Sequence, residues 1–520
     1  MLNMVSSSTS RSTNYLFNFA SWSLIWTGII LRLVEYCSNK SLWRDEAMLA
    51  LNIIERSYSQ LFEKLDYNQY APPGFLVIEK AIISILGKSE FSFRLFPLIC
   101  SIISIFVFYK LCNKFLSKGA ILIGLGFFVI STSLLYYSTE TKQYSSDLLI
   151  TLILILIAQN ILDKDLTIQK TFLFGIICSL FIWLSHSSII VLCGSWGYLA
   201  LDCLLKKDFK KVSLIFLSSV LWITSFLIFY STVLFHTSAN QGLTSLWEYY
   251  FLPFPSFSKE SIAIYKNLFN EFVRFFSLGI PAILCLVIGS YLFYRTRQKY
   301  FFIITFPILI TLVLSILHKY PLFERFILFL FPSLIFLISE GVEWIRQKAS
   351  GISPVIGIIA ICLIFYKPCY FTINDFKNPA TQEEVKPVFK YLKEHLKKGD
   401  IIYISEPLEY SFKYYSSKYD FCNNFSMSPG RKNLEEAHCP KFNYKTYLGT
   451  DELDKSSIEK DFSHFIGSKR LWILFPEKRA LDLQYKSSAL KYLDSIGVKT
   501  GSFLRTGVIL YLYNLKATSQ

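Results

Sequence analysis

Charge is what this sequence has least of. Only 18% of its residues are Asp, Glu, Lys or Arg, against roughly 25% in soluble domains. Hydrophobic residues make up 52% and aromatic ones 17%, and the mean hydropathy is +0.40. That is the balance of a membrane protein. Metal-ligand spacing is also missing: the eleven Cys include no CxxC pair, and most stand inside apolar runs, where Cys acts as a small hydrophobe. Only Cys422 and Cys439 lie in a polar tail, where an oxidising compartment would let them pair. No internal repeat or low-complexity segment is present. Despite a net charge of +15, no nucleic-acid-binding pattern is visible, because the Lys residues collect in short tracts between apolar runs. A cleavable signal peptide is not expected either: the first apolar run is long, carries Arg32 near its end and lacks a small-residue cleavage site.

What is present is a series of apolar runs, most of them near the roughly 17–25 residues that cross a bilayer. They predict roughly eleven transmembrane helices, in a range of about 10–13. The spans are Tyr15–Val34, Phe93–Leu111, Ala120–Tyr137, Asp147–Ile161, Thr171–Leu184, Ser188–Leu204, Val212–Leu234, Phe272–Phe293, Tyr300–Leu317, Arg325–Ile338 and Ile352–Phe365. Lys110, Lys114 and Lys118, then Lys206, Lys207, Lys210 and Lys211, then Arg295, Arg297 and Lys299, then Arg346 and Lys348 all fall on one side. By the positive-inside rule that side is cytoplasmic. The N-terminus is then inside, and the tail after the last span is outside. Between the first two spans, Ala47 to Leu65 has helical periodicity and reads as an amphipathic helix on the membrane. Phe75 to Leu86, with Glu79 and Lys80, reads as interfacial. The loop His236 to Asn270 is aromatic and faces outward.

The composition divides the chain into a membrane domain, 1–370, and a soluble tail, 371–520, with the first outer loop at 35–92. In the tail, Thr381-Gln382-Glu383-Glu384 has a capping-box pattern before a helix over Val385–Lys398 that Gly399 stops. Strands are predicted at Asp400–Ile404, Leu471–Phe475 and Gly507–Tyr511, with a helix near Leu490–Ile496. The fold class is therefore an α-helical polytopic membrane protein with a small C-terminal extracytoplasmic α/β domain.

Within that frame the chemistry-bearing groups gather on one side. Ser41-Leu42-Trp43-Arg44-Asp45-Glu46-Ala47 puts two acids beside the membrane, where an ionised group without water or a partner is costly. The topology places Glu140, Lys142, His186 and Arg325 at outer ends of spans as well. Each alone has a plainer explanation: solvated loop acids, snorkelling cations, a hydrogen-bonded structural His. Together they predict a cavity. A carboxylate there can serve as general base for a hydroxyl nucleophile, and Lys142 and Arg325 can hold a phosphate, Arg by its fork and Lys as a point charge. Base plus phosphate clamp means group transfer from a phosphorylated donor.

The order Arg32, Leu42-Trp43-Arg44-Asp45-Glu46-Ala47, Ala71-Pro72-Pro73, Ser138-Thr139-Glu140-Thr141-Lys142-Gln143-Tyr144, Pro321, Arg325 and Phe331-Pro332 resembles the GT-C superfamily of membrane glycosyltransferases. Within it, the protein mannosyltransferases and aminoarabinose transferases are the most similar. The resemblance covers about Tyr15 to Leu337, and the outward tail is similar too. It implies inverting sugar transfer from a polyprenyl-phosphate-linked donor to a hydroxyl acceptor (glycolipid, polysaccharide or protein) on the outer face of the cell membrane. It implies Asp45 as catalytic base, Glu46 as its neighbour in substrate positioning, and Glu140, Lys142, Tyr144, His186 and Arg325 as substrate-binding residues. Membrane lipid is an implied partner and nucleic acid is not. No cofactor is implied beyond the donor lipid, and a divalent metal has no ligand motif here. Two departures stand out. The family's usual Arg in the Ser-x-Glu-x-Arg segment is Lys142, and the acid–base pair before Pro-Pro in aminoarabinose transferases is replaced by Tyr70 and Ala71, which argues against aminoarabinose as the sugar. A transporter or flippase and a polymer ligase are the rival readings. The first usually shows inverted repeats and mid-bilayer charges, and the second calls for Arg and His in a large outer loop.

Overall fold

Backbone groups in lipid have no water to bond, so long apolar runs must close their hydrogen bonds internally as helices. The protein, described by a computed structural model, follows this rule. Residues 2–516 are described, apart from 236–246, 255, 257, 277–279, 423, 425–430, 432, 438–441, 451–454 and 478–479. Among the described residues eight helices are long and apolar enough to cross a membrane, or nine if one bent pair is a single span. The helices are α1 (Leu2–Cys37), α2 (Arg44–Glu55), α3 (Pro73–Leu86), α4 (Glu90–Phe115), α5 (Lys118–Ile130), α6 (Thr132–Tyr136), α7 (Tyr144–Asp163), α8 (Ile168–Leu184), α9 (Ser188–Leu205), α10 (Phe209–Phe229), α11 (Lys259–Phe276), α12 (Ile280–Ile316), α13 (Phe331–Ile352) and α14 (Pro354–Lys377).

Among the described residues the expected spans fall largely on helix, and the smaller count has physical causes. α8 is short. α5 and α6 meet at a 51° bend, where Ser131 leaves the helix and its hydroxyl accepts from the Leu134 N–H. α12 runs through two expected spans, broken only at Arg297 with φ −142° and ψ 48°. The outer loop His236–Asn270 lies partly outside the described residues; what is described includes the start of α11.

Three expectations need correction. The helix expected over Ala47–Leu65 is α2, which begins at Arg44 and stops at Glu55. Because Glu46 through Ile53 are all buried in protein, it does not lie on the membrane. The span expected from Arg325 starts later: Arg325 sits in a turn, and helix resumes at Leu328. The capping box at Thr381 is not formed. The tail helix α15 (Val385–His395) starts after Glu384 with no side-chain cap, and the Glu384 N–H that Thr381 would cap donates to the Thr506 carbonyl at 2.8 Å.

By contacts the chain forms two compact units. The first comprises Met1–Ser38, Ser57–Lys64 and Tyr70–Pro379. Its aromatic core is centred on Phe108, stacked 4.2 Å from Phe128 and 4.9 Å from Phe336. Lipid gives helices no hydrophobic reason to associate, so close backbone approach at small residues matters. α12 and α13 show this: a Cβ on Gly289 would come 1.7 Å from the Leu337 carbonyl oxygen, and one on Gly341 would come 2.0 Å from that of Cys285. At one end of this bundle Glu340 accepts from the Ser117 N–H at 2.6 Å and from Arg297 at 3.0 Å.

The second unit comprises Asn39–Arg56, Leu65–Gln69 and Ala380–Gln520. Its six-stranded sheet has the order β2-β3-β1-β4-β6-β5, built from β1 (Ile401–Ile404), β2 (Glu435–Glu436), β3 (Lys445–Leu448), β4 (Leu471–Pro476), β5 (Gly497–Arg505) and β6 (Val508–Leu515). β1 is parallel to both β3 and β4, whereas β6 is antiparallel to β4 and β5. A tight turn through Gly507, at φ +77°, joins β5 to β6. Helices α16 (Glu409–Tyr419), α17 (Lys455–Ser463) and α18 (Ala480–Ile496) complete the unit. Cys422 is disulfide-bonded; Cys439, its expected partner, lies outside the described residues.

Candidate active site

Chain direction reverses at β1, since the chain passes from β1 to β3 on one side and then to β4 on the other. In open α/β sheets the crevice at the carboxyl end of such a strand is where ligands bind. Here part of the protein itself is seated there. β1 runs into Ser405 and Glu406, and Glu406 Oε1 accepts from the Arg44 guanidinium at 2.5 Å. The Arg44 guanidinium also lies 5.8 Å from the Tyr410 ring.

α2 has no side-chain N-cap of its own, because Trp43 stands at that position and makes no cap hydrogen bond. The first N–H groups of a helix need partners from somewhere. The Arg44 N–H donates to Glu383 Oε2 at 2.8 Å, and just upstream the Leu42 N–H donates to the Tyr415 hydroxyl at 2.9 Å. At its other end Glu55 meets Lys413 at 2.8 Å. Both ends of α2 are therefore held by the tail sequence.

Asp45 and Glu46 fall in the first turn of α2, where the helix dipole favours negative charge. Glu46 is buried. Asp45 is half-buried, and its Oδ1 accepts from the Gln69 amide at 3.0 Å. Gln69 is aimed by a strained segment: Tyr67 and Asn68 both have left-handed φ, 62° and 52°, a costly backbone state for non-glycine residues. Two contacts hold it. Asn52 of α2 exchanges hydrogen bonds with the Asp66 backbone at 2.9 and 3.2 Å, and Tyr67 packs edge-on to Tyr410 at 4.9 Å.

The remaining expected residues belong to the first unit. Glu140 and Lys142 lie in the turn before α7, both buried, with the Lys142 N–H bonded to the Glu140 carbonyl at 2.7 Å. Arg325 is enclosed by aromatic faces: Tyr144, Trp247, Phe323 and Phe326 have centroids 6.0, 5.3, 5.6 and 5.3 Å from its guanidinium carbon. Tyr144 and Arg325 are thus brought together. His186 stacks on Tyr70 with centroids 4.2 Å apart and planes 6° apart. Burial lowers the His186 pKa to about 3, so the ring is neutral. Arg32 is buried in α1, where it bonds Ser101 at 2.7 Å and the Gly28 carbonyl at 3.0 Å.

No protein-family model matches the chain, and no curated relative does. Solved structures match it over nearly its whole length. ArnT from Cupriavidus metallidurans in the apo state matches with a TM-score of 0.54 at 10% identity, covering 96% of this chain and 98% of that one. The same protein bound to undecaprenyl phosphate gives 0.53 at 9% identity with the same coverage. The Archaeoglobus fulgidus oligosaccharyltransferase in complex with Zn and sulfate gives 0.52 at 11% identity, over 95% of this chain and 73% of that one. The chain shares the fold of these structures.

Of the two departures from the expected sequence pattern, Tyr70 has a structural use, as the platform beneath His186. Among the described residues no three His, Cys, Asp or Glu side chains come together as a metal set, and no step below is routed through a metal. Sequence reasoning missed several buried or half-buried polar residues. Glu79 is fully buried in α3, with no hydrogen-bond partner for either oxygen among the described residues, and burial pushes its pKa well up. Glu324 accepts from the Ser133 hydroxyl at 2.5 Å. Gln143, Asp147 and Thr151 fall at one-turn intervals on α7 and share buried polar atoms without partners among the described residues. Their four-residue spacing inside an apolar run was the available signal.

Proposed function

We propose that this protein is a polyprenyl-phosphate-dependent glycosyltransferase of the multi-pass membrane type, working on the extracytoplasmic face of the cell membrane. Asp45 takes the proton from the acceptor hydroxyl while the oxygen forms its bond to the anomeric carbon. The bond from that carbon to the phosphate oxygen breaks, and polyprenyl phosphate leaves with the electron pair. Attack opposite the leaving group inverts the anomeric configuration. Lys142 and Arg325 meet the growing phosphate charge; the rings around Arg325 contact the guanidinium face, while its N–H donors lie in the plane. Glu46, Glu140, Tyr144 and His186 position the substrates.

The observation that carries the reading is the mounting of Asp45. Its carboxylate stands in the first turn of a helix anchored at both ends, and one oxygen is oriented by an amide. A general base needs this kind of fixed direction. The fold's likeness to ArnT, whose undecaprenyl phosphate complex is known, supports the donor class. Asp45→Asn should bind undecaprenyl phosphate as the wild type does and lose about 10²–10⁴-fold in transfer rate. Normal transfer by that variant overturns the assignment.

A further inference from the structure

We propose that Gln143, Asp147 and Thr151 of α7, together with His186, form a recognition site for the hydroxyl groups of the donor's sugar. This rests on the glycosyl-transfer reading and specifies a part of the donor that the phosphate-binding residues do not touch.

The first observation is spacing. Gln143, Asp147 and Thr151 occur every fourth residue, and the Asp147 N–H bonds the Gln143 carbonyl at 2.8 Å, so the three lie on one face of the helix, about 5–6 Å apart from one to the next. The second is what those side chains leave open. Gln143 Oε1, Asp147 Oδ1 and Thr151 Oγ1 are enclosed, and none has a hydrogen-bond partner among the described residues. Gln143 is 7% exposed and Thr151 1%. Native proteins pair buried polar atoms almost without exception, and three open ones on a single helical stripe call for a common partner.

His186 joins the same place. Ser185, the residue before His186, lies within side-chain interaction range of Asp147, and both ring nitrogens of His186 are enclosed with no partner among the described residues. Tyr70 lies flat against one face of the imidazole and Phe229 is tilted 5.5 Å from it, so the ring is fixed while its nitrogens remain open. Burial pushes the Tyr320 pKa well up, with smaller contributions from Asp147, Tyr144 and Tyr70. Its own hydroxyl is occupied, donating to the Phe326 carbonyl at 2.7 Å.

The chemistry of the open atoms selects the ligand. Gln143 Oε1 accepts only, the Asp147 carboxyl accepts and when protonated also donates, Thr151 does either, and a neutral imidazole offers one donor and one acceptor. A phosphate diester has no donor for the Gln143 acceptor. A cation would want several carboxylate or imidazole ligands converging, and among the described residues no such set exists. A sugar ring carries several hydroxyls, each able to donate and accept, held a few ångströms apart on a rigid frame. It answers all of these atoms at once.

The test compares binding of bare undecaprenyl phosphate with undecaprenyl phosphate bearing glucose, galactose or mannose, in lipid nanodiscs, for wild type, Asp147→Asn and Thr151→Val. Both substitutions keep size, and a thermal midpoint verifies folding. The expected result is that wild type prefers at least one glycosylated lipid over the bare one by tenfold or more. Each variant then loses most of that preference while binding the bare lipid as wild type does. Equal weakening of bare and glycosylated lipid overturns the proposal, as does an undiminished preference in both variants or the absence of preference in wild type. A wild type that binds no undecaprenyl lipid overturns the glycosyl-transfer reading itself, so the two failures are distinguishable.

Discussion

Replacing Glu406 by Gln should slow sugar transfer although Glu406 contacts no substrate in the proposed mechanism. Its Oε1 is 2.5 Å from the Arg44 nitrogen, with 19% and 18% of the Arg44 and Glu406 side chains exposed. Unit charges centred about 4 Å apart are worth roughly 4 kcal/mol at an effective dielectric of 20, and desolvation of both groups removes much of it. A charge-assisted bond nets about 1.5–3 kcal/mol. Gln keeps an oxygen for the bond and loses the charge, so about 1–2 kcal/mol should disappear. If that energy keeps the first turn of α2 in its working orientation, it reappears in the barrier as a loss of about 5–30-fold in kcat. The assay is a double-mutant cycle on kcat with Arg44→Gln, Glu406→Gln and the pair, alongside thermal midpoints. A coupling of about 1–2 kcal/mol with acceptor KM nearly constant is the expected result. Purely additive losses, or an unchanged kcat in folded Glu406→Gln, refute the reasoning.

Other outcomes follow from geometry already described. His186 is neutral in the folded protein down to about pH 3, while an unfolded His charges below about 6.5. Between those values the unfolded state binds the extra proton, so this group costs stability as pH falls. The cost is about 2 kcal/mol on going from pH 7 to 5, and His186→Asn should flatten the pH dependence of the thermal midpoint by that amount; an unaltered slope counts against the burial argument. Gly341→Val drives a side chain into the Cys285 carbonyl and should lower stability by about 1–3 kcal/mol or more. Gly351→Ala, with nothing within 4 Å, should be neutral or stabilising in the same thermal assay. For orientation, Gly449 is a poor probe site because a Cβ there would come 2.1 Å from the Tyr403 hydroxyl. Ser502→Cys is exposed and, in a background lacking the exposed Cys37, Cys193 and Cys362, should react with an impermeant thiol reagent from outside; labelling only after lysis reverses the topology.

How far the sequence could be read depends on where each element finds its partners. Apolar runs declare themselves, because lipid demands local hydrogen bonding, and the spans were legible to within a few residues. The acids at Asp45 and Glu46 were legible as oddities beside a membrane. That they begin a helix was not, because the signal for a helix start is a capping residue, and here the cap is Glu383, 339 positions away. The pattern at Thr381–Glu384 fits a capping box, but the Glu384 N–H goes to the carbonyl of Thr506, 122 positions away, while Glu383 caps another helix. Strand β5 was missed because Lys499, Thr500, Gly501 and Ser502 give an edge strand no apolar face. The polar stripe on α7 was visible as spacing, but nothing in the letters says that Asp147 meets Ser185 or that His186 lies on Tyr70.

The tie between the acidic helix and the tail also has a consequence in time. Leu42 must wait for Tyr415, 373 residues later, and at roughly 5–20 residues per second of synthesis the wait is about 20–75 s. Until then the first unit can assemble in the bilayer, but α2 has neither its cap nor its anchoring carboxylate. A nascent or truncated chain would therefore carry its acids without a fixed aim. The carboxylate proposed as base gains its fixed aim only when the tail sequence that follows the spans has folded around it.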